Sequence, residues 1–258
     1  MGEHALKITL PEFTAHNILL PDGSKTIPTN NHLLANSSQC QAFLRTLSLL
    51  FRHRNKNHIR IADLGCLEGG HSIEFARQGF NVLGLEVRKS NYEKCLYVAD
   101  KFALPNLQFI QDDARNIEAY GLFDAVLCCG LLYHLDKPLA FLKTLSQVTK
   151  SLLILNTHFA QEIPNPKFPL SDLTENEGLP GRWLREFDAE IPLAQMEEAS
   201  WSSWKNDKSF WPLKTALLES VRSAGFQLIY EQYDVLDNIY TDLAYTITDR
   251  GSFIAIKI

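Results

Sequence analysis

Between residues 59 and 156 the chain alternates short, almost wholly apolar runs with stretches in which apolar residues recur every three or four positions. The runs at 59–64, 81–86, 107–111, 123–129 and 151–156 predict strands, and the stretches at 71–78, 89–102 and 138–148 predict helices between them. Strands apolar along their whole length need cover on both faces, which helices of a parallel sheet provide. A doubly wound, Rossmann-like α/β fold follows. Ahead of it, Phe43, Leu44, Leu47, Leu50 and Phe51 lie at helical spacing and predict a helix over 38–54. Residues 6–30, broken by Pro11, Pro21-Asp22-Gly23 and Pro28, read as an extended arm or small hairpin.

The alternation breaks at 158–211, which holds Pro164, Pro166, Pro169, Pro180 and Pro192 and all four tryptophans, Trp183, Trp201, Trp204 and Trp211. A segment of that length is expected to be functional or to form its own small subdomain. After it, 213–224 predicts a helix stopped by Gly225, and 227–233 and 252–258 predict strands. With no long helix between them, these two strands are expected to pair antiparallel at the end of the sheet. The expected organisation is one domain over 1–258, with an N-terminal arm and helix at 1–55 and an inserted cap at 158–211.

Composition narrows the classes. In 258 residues, 45% hydrophobic and 21% charged positions are those of a soluble globular chain, and no apolar run approaches a membrane span. A net charge of −5 does not favour nucleic acid as a partner. The start Met1-Gly2-Glu3-His4 lacks a secretory pattern, so the cytoplasm is the expected location. The cysteines Cys40, Cys66, Cys95, Cys128 and Cys129 show no C-x-x-C spacing and read as buried thiols, neither a disulfide framework nor a zinc site. No metal is expected.

The strongest local signal is Asp63-Leu64-Gly65-Cys66-Leu67-Glu68-Gly69-Gly70, where the first strand runs into a helix. Glycines permit a sharp turn and close approach of a ligand to the main chain, and the helix start offers free N–H groups. Leu67 stands where a dinucleotide-binding loop has its middle glycine, which argues against a bound pyrophosphate. Glu86, followed by Val87, ends the second strand about twenty residues past the glycines, where ribose hydroxyls need an acceptor. Asp113-Ala114 follows the third strand, where a carboxylate can accept from an adenine amine. Each has a plainer reading, as a structural turn, a solvated strand end or an acidic loop; together they describe a pocket for an adenosine without phosphates.

Over 59–156 these motifs resemble the class I S-adenosylmethionine-dependent methyltransferases. The resemblance implies S-adenosylmethionine as cofactor and a seven-stranded sheet completed after Leu213. It places the methionine part at Asp63, Gly65, Cys66, Leu67 and Gly69, the ribose at Glu86 and Val87, and adenine at Asp113 and Ala114, with Cys129 and Gly130 closing the site. A narrower similarity lies in F-D-x-V-x-x-x-G-x-L-Y-H, here Phe123 to His134, and in the arm from His16 to Gly23. Both are similar to the subgroup containing the tRNA wobble-uridine carboxymethyltransferases. That subgroup uses a carboxylated cofactor, which implies Tyr133 and a cation, for which Arg250 is a loose candidate. The chain lacks the length and basic character of a tRNA binder, so kinship in fold and cofactor site with a different acceptor is expected.

An oxygen acceptor must lose a proton, and His134, just past the fourth strand, is the best-placed base; a purely structural hydrogen-bonding role is its alternative. The Asn-Pro-Pro-aromatic tetrapeptide that supports methylation of amide or base nitrogens is absent, Cys129-Gly130-Leu131-Leu132 standing in its place. The aromatic insertion reads either as a second small core or as a cap whose Trp and Phe side chains, Trp183 and Trp204 among them, wall an acceptor pocket, with Arg182, Glu186 and Lys205 available to orient polar groups. The expected activity is methyl transfer to a small-molecule acceptor at oxygen. The competing readings are a tRNA-modifying (carboxy)methyltransferase and a catalytically silent S-adenosylmethionine-binding protein.

Overall fold

Each central strand buries both faces, and its period of two sorts the side chains between two apolar layers. In β1 (Arg60–Leu64) Ile61 faces one layer and Ala62 and Leu64 the other. In β4 (Phe123–Cys129) Ala125 and Leu127 oppose Val126 and Cys128, and in β5 (Thr149–His158) Leu152 and Ile154 oppose Leu153 and Leu155. That is the physical origin of the unbroken apolar runs. The computed structural model describes residues 11–188, 191–234 and 249–258. Residues 1–10 of the expected arm, 189–190 of the insertion and 235–248 between the closing strands lie outside the described residues.

The first layer is closed by α1 (Ser38–Leu50) and α2 (Gly70–Arg77) through Phe43, Leu47 and Phe75. The second is closed by α4 (Pro138–Val148) and α6 (Lys214–Ser223) through Leu142, Leu145, Leu217 and Val221. Helix α3 (Lys89–Phe102) packs Cys95 and Val98 with Phe109 of β3 (Leu107–Gln111). Helix α1 starts where the Ser37 side chain accepts the Cys40 N–H at 3.2 Å. It ends at Leu50, earlier than the 38–54 spacing predicts, and beyond it Arg54 meets the buried Asp124 carboxylate at 2.9 Å.

With β2 (Asn81–Glu86), β9 (Leu228–Glu231) and β10 (Arg250–Ile256), the described residues form a seven-stranded sheet of order β3-β2-β1-β4-β5-β10-β9. β1 pairs parallel with β2 and β4, β2 with β3 and β4 with β5, while β10 runs antiparallel to both β5 and β9. The expected α/β sheet with an antiparallel final strand is therefore the observed one. Chain order reverses between β1 and β4, which opens a crevice at the carboxyl ends of the strands. The insertion folds as an antiparallel sheet of β6 (Thr174–Asn176), β7 (Leu179–Arg185) and β8 (Lys208–Pro212), with the short α5 (Leu193–Glu198) between β7 and β8. No helix among the described residues is long and apolar enough to cross a membrane.

Candidate active site

The crevice holds a cavity of about 380 Å³. Every residue expected at the cofactor lines it except Gly69, whose part is to shape the loop; Tyr133, His134, Trp204 and Arg250 line it too. Gly69 caps α2 at φ +78°, and a Cβ there would sit 2.7 Å from the Phe109 ring, so backbone conformation and packing both demand glycine. Leu67 also lies in the left-handed region, at φ +55°, which costs a branched side chain roughly 1–2 kcal/mol. The loop holds that strain because the Leu67 N–H donates to Glu86 Oε2 at 2.9 Å and the Leu67 carbonyl accepts from Cys95 Sγ at 3.2 Å.

Glu86 is the most strongly perturbed carboxyl of the cavity at the end of β2. It is 4% exposed, and its Oε1 accepts the Arg88 N–H at 2.9 Å. Burial pushes the carboxyl up to about 7, against the pull of these N–H groups. Asp63, buried beside it on β1, accepts the Ser72 hydroxyl at 2.6 Å and is pushed up to about 6 by burial. Two buried carboxylates lining one cavity suit a ligand that brings hydroxyl donors and positive charge. At the end of β3 Asp113 forms a 2.6 Å ion pair with Arg115 and caps the turn that begins at Ala114. Asp112, which also lines the cavity, accepts from Tyr120 and Asn116.

The opposite end is closed by the N-terminal arm, which sequence patterning did not connect to the loop. Glu68 is fully buried and accepts the N–H groups of Thr14, Ala15 and His16 at 2.8, 3.0 and 2.7 Å, with Lys94 at 2.8 Å. His16 Nδ1 accepts the Gly70 N–H at 3.0 Å, and burial lowers that imidazole to about 4. The signal that could have found this latch is a lone acid inside a glycine loop.

Past β4, Gly130 turns at φ +75° and hands the chain to a tight turn at Leu132–His134. A point one Cβ beyond Gly130 lies 3.7 Å from Tyr133 Oη and 3.8 Å from an Arg250 guanidinium nitrogen. The sheet thus brings together the tyrosine and the arginine that the sequence left 117 positions apart in numbering, Arg250 being fixed through Nε to Asn156 Oδ1 at 2.9 Å. The insertion grips this turn. Trp211 Nε1 donates to the Tyr133 carbonyl at 2.9 Å, Asn206 donates to the His134 carbonyl at 2.9 Å, and Glu186 meets His134 Nδ1 at 2.9 Å. Burial raises the Cys129 thiol to about 12, which keeps it protonated and unreactive.

The three insertion residues expected at an acceptor part ways. Arg182 is buried away from the cavity and donates to the carbonyls of Gln161, Glu162 and Ser171. Trp183 packs on Phe210 at 5.0 Å and under Lys208. Only Trp204 reaches the cavity, beside Arg88 and Arg115 at the ends of β2 and β3. Arg88 ties this cover down, donating to the carbonyls of Met196, Ser202 and Ser203 at 3.1, 2.9 and 2.9 Å. Arg88→Ala is expected to cost about 1–3 kcal/mol, the size of unpaired buried polar groups. Hydrogen exchange across 196–204 should accelerate in the variant; unchanged protection there would show that the cover is held by other contacts.

Comparison with known proteins gives the same picture for the core. Residues 61–151 match the model of a family described as a methyltransferase domain. Over 92 residues, 36% of this chain, it is 32% identical to a ubiquinone biosynthesis O-methyltransferase of Rickettsia typhi (strain ATCC VR-144 / Wilmington), spanning 37% of that protein's length. Over 120 residues, 43% of this chain, it is 31% identical to a tRNA U34 carboxymethyltransferase of Helicobacter hepaticus (strain ATCC 51449 / 3B1), spanning 37% of that chain. The N-terminal domain of EvdMO1, solved in the presence of SAH and D-fucose, superposes with a TM-score of 0.65 at 24% identity, covering 92% of this chain and 87% of that one; this likeness is one of fold.

Proposed function

We propose that this chain transfers a methyl group from S-adenosylmethionine to a hydroxyl of a small-molecule acceptor. The observation that carries the reading is one cavity with a buried ribose acceptor, Glu86, at one side and a carboxylate-backed histidine, His134, at the other. When bound, the cofactor supplies an electrophilic methyl on a sulfonium whose C–S electron pair leaves with sulfur as a neutral thioether. Glu86 holds the ribose hydroxyls, Asp63 and the 65–69 loop hold the methionine part, and Asp113 and Ala114 face the adenine. The arm and the 200–204 segment keep water from the cavity, and His134 takes the proton from the acceptor hydroxyl. The name of one relative, an O-methyltransferase of ubiquinone biosynthesis, supports oxygen as the acceptor atom. All five cysteines are free, as suits a cytoplasmic enzyme.

Glu86→Ala removes the ribose acceptor and should weaken S-adenosylhomocysteine binding by about 1.5–3 kcal/mol, the worth of hydrogen bonds to a charged group. Titration calorimetry on the folded variant measures it; an unchanged dissociation constant refutes the placement. Since burial holds the Glu86 carboxyl near 7, wild-type affinity should rise as pH climbs through 7 and the carboxylate forms.

A second reading is favoured by Tyr133 Oη and Arg250 converging beside Gly130, an arrangement able to hold an extra carboxylate. In that reading the chain is a carboxymethyltransferase acting on tRNA. Mass spectrometry of the ligand released from purified protein separates the two, because a carboxylated cofactor is heavier by the mass of carbon dioxide.

A further inference from the structure

The side chain that meets His134 comes from the insertion, 52 residues downstream, and its other contacts restrict what it can do. Glu186 Oε1 accepts the Ser209 hydroxyl at 2.7 Å as well as facing His134 Nδ1, and Oε2 accepts the Ser203 N–H at 3.2 Å. The Ser203 N–H can only donate, and the Ser209 hydroxyl donates to the same carboxylate. A carboxylate only accepts, so the imidazole nitrogen facing it must be the one carrying hydrogen. The side chains of His134 and Glu186 are 14% and 5% exposed, so water competes little for either.

We infer that Glu186 is a positioning residue for His134, holding the imidazole in the Nδ1–H tautomer so that Nε2 is the free acceptor for the proton of the substrate hydroxyl. This rests on the base role proposed above for His134. In the step, the O–H bond breaks, its proton goes to Nε2, Nδ1 keeps its own, and the imidazolium so formed lies against the Glu186 carboxylate, which offsets the new charge. Asn206, donating to the His134 carbonyl and to the Lys208 carbonyl, fixes the backbone of the same turn. The insertion thereby contributes the orientation of the base, from the segments just after β7 and just before β8, in addition to covering the cavity.

The decisive measurement is the 15N spectrum of the histidine ring nitrogens in protein saturated with S-adenosylhomocysteine. It needs no acceptor. Wild type should show His134 as the Nδ1–H tautomer, and Glu186→Gln should show a mixture of tautomers with S-adenosylhomocysteine affinity within about twofold of wild type. Turnover on hydroxyl probes, catechol and D-fucose, should fall by roughly tenfold or more, as for an imidazole released from its orienting acid. Glu186→Asp should recover part of the loss. A wild-type His134 in the Nε2–H form, or an unaltered tautomer in Glu186→Gln, overturns the inference; the wild-type spectrum alone suffices where the variant does not fold. If His134→Gln abolishes turnover while Glu186→Gln leaves it intact, the positioning role fails and the base role stands. If His134→Gln leaves turnover intact, both fail.

Discussion

His134→Gln is expected to lower turnover by roughly a hundredfold or more while leaving S-adenosylhomocysteine affinity nearly unchanged, the scale on which a general base contributes. Glutamine keeps the length and polarity of the side chain but has no nitrogen able to take a proton near neutrality. The cofactor contacts proposed above lie at the ends of β1, β2 and β3 and at Cys129 and Gly130, and His134 itself is not among them, so the two measurements are separable. Quenched-flow or steady-state release of S-adenosylhomocysteine on an accepted hydroxyl compound gives the rate, and calorimetry gives the affinity. A loss of only a few fold would assign His134 the structural role. The result also discriminates acceptors, since a group already ionised, or a neutral amine, needs no base.

Glu68→Ala should remove about 3–5 kcal/mol of stability, the usual consequence of deleting one partner of a buried ion pair. The substitution leaves the Lys94 ammonium and three backbone N–H groups of the arm facing the site of a carboxylate that is gone. For a chain of this length that corresponds to a fall in Tm on the order of ten degrees. Hydrogen exchange should locate the damage at 13–16 and 68–71. A near-native Tm with intact protection of the arm would mean that apolar packing of Phe13 and Ile18, and not the carboxylate, holds it.

Acid should undo the same latch. Burial works against the Glu68 charge, but the His16 and Thr14 N–H groups and Lys94 outweigh it and hold the carboxyl below its ordinary value. Its stabilisation is therefore present above the unfolded value and lost as pH falls through the folded one. His16, lowered to about 4 by burial, acts in the same direction, since the unfolded chain takes up the proton first and stability falls from about 6.5 downward. Arm protection measured between pH 7 and 4 should decline accordingly.

The sequence by itself determined the sheet and which strand ends line its crevice. Strand and helix periodicities are local, each strand's two-faced burial is written in its own residues, and Gly65, Gly69, Glu86 and Asp113 fall at strand ends by spacing alone. Even Leu67, the departure from the commonest loop pattern, was visible as such; that it takes a left-handed conformation held by Glu86 was not. What the tertiary structure decided is which distant groups meet. The insertion's tryptophans suggested an aromatic wall, yet Trp211 packs beneath Tyr133 and Trp183 on Phe210, while Glu186, Arg88 and Glu68 make the contacts that shape the cavity. Periodicity records whether a side chain is buried, whereas a hydrogen bond needs two atoms within about 3 Å in the right orientation. For pairs 52 to 115 residues apart, that distance is set by the path of the arm and the insertion over the sheet, which no local pattern encodes.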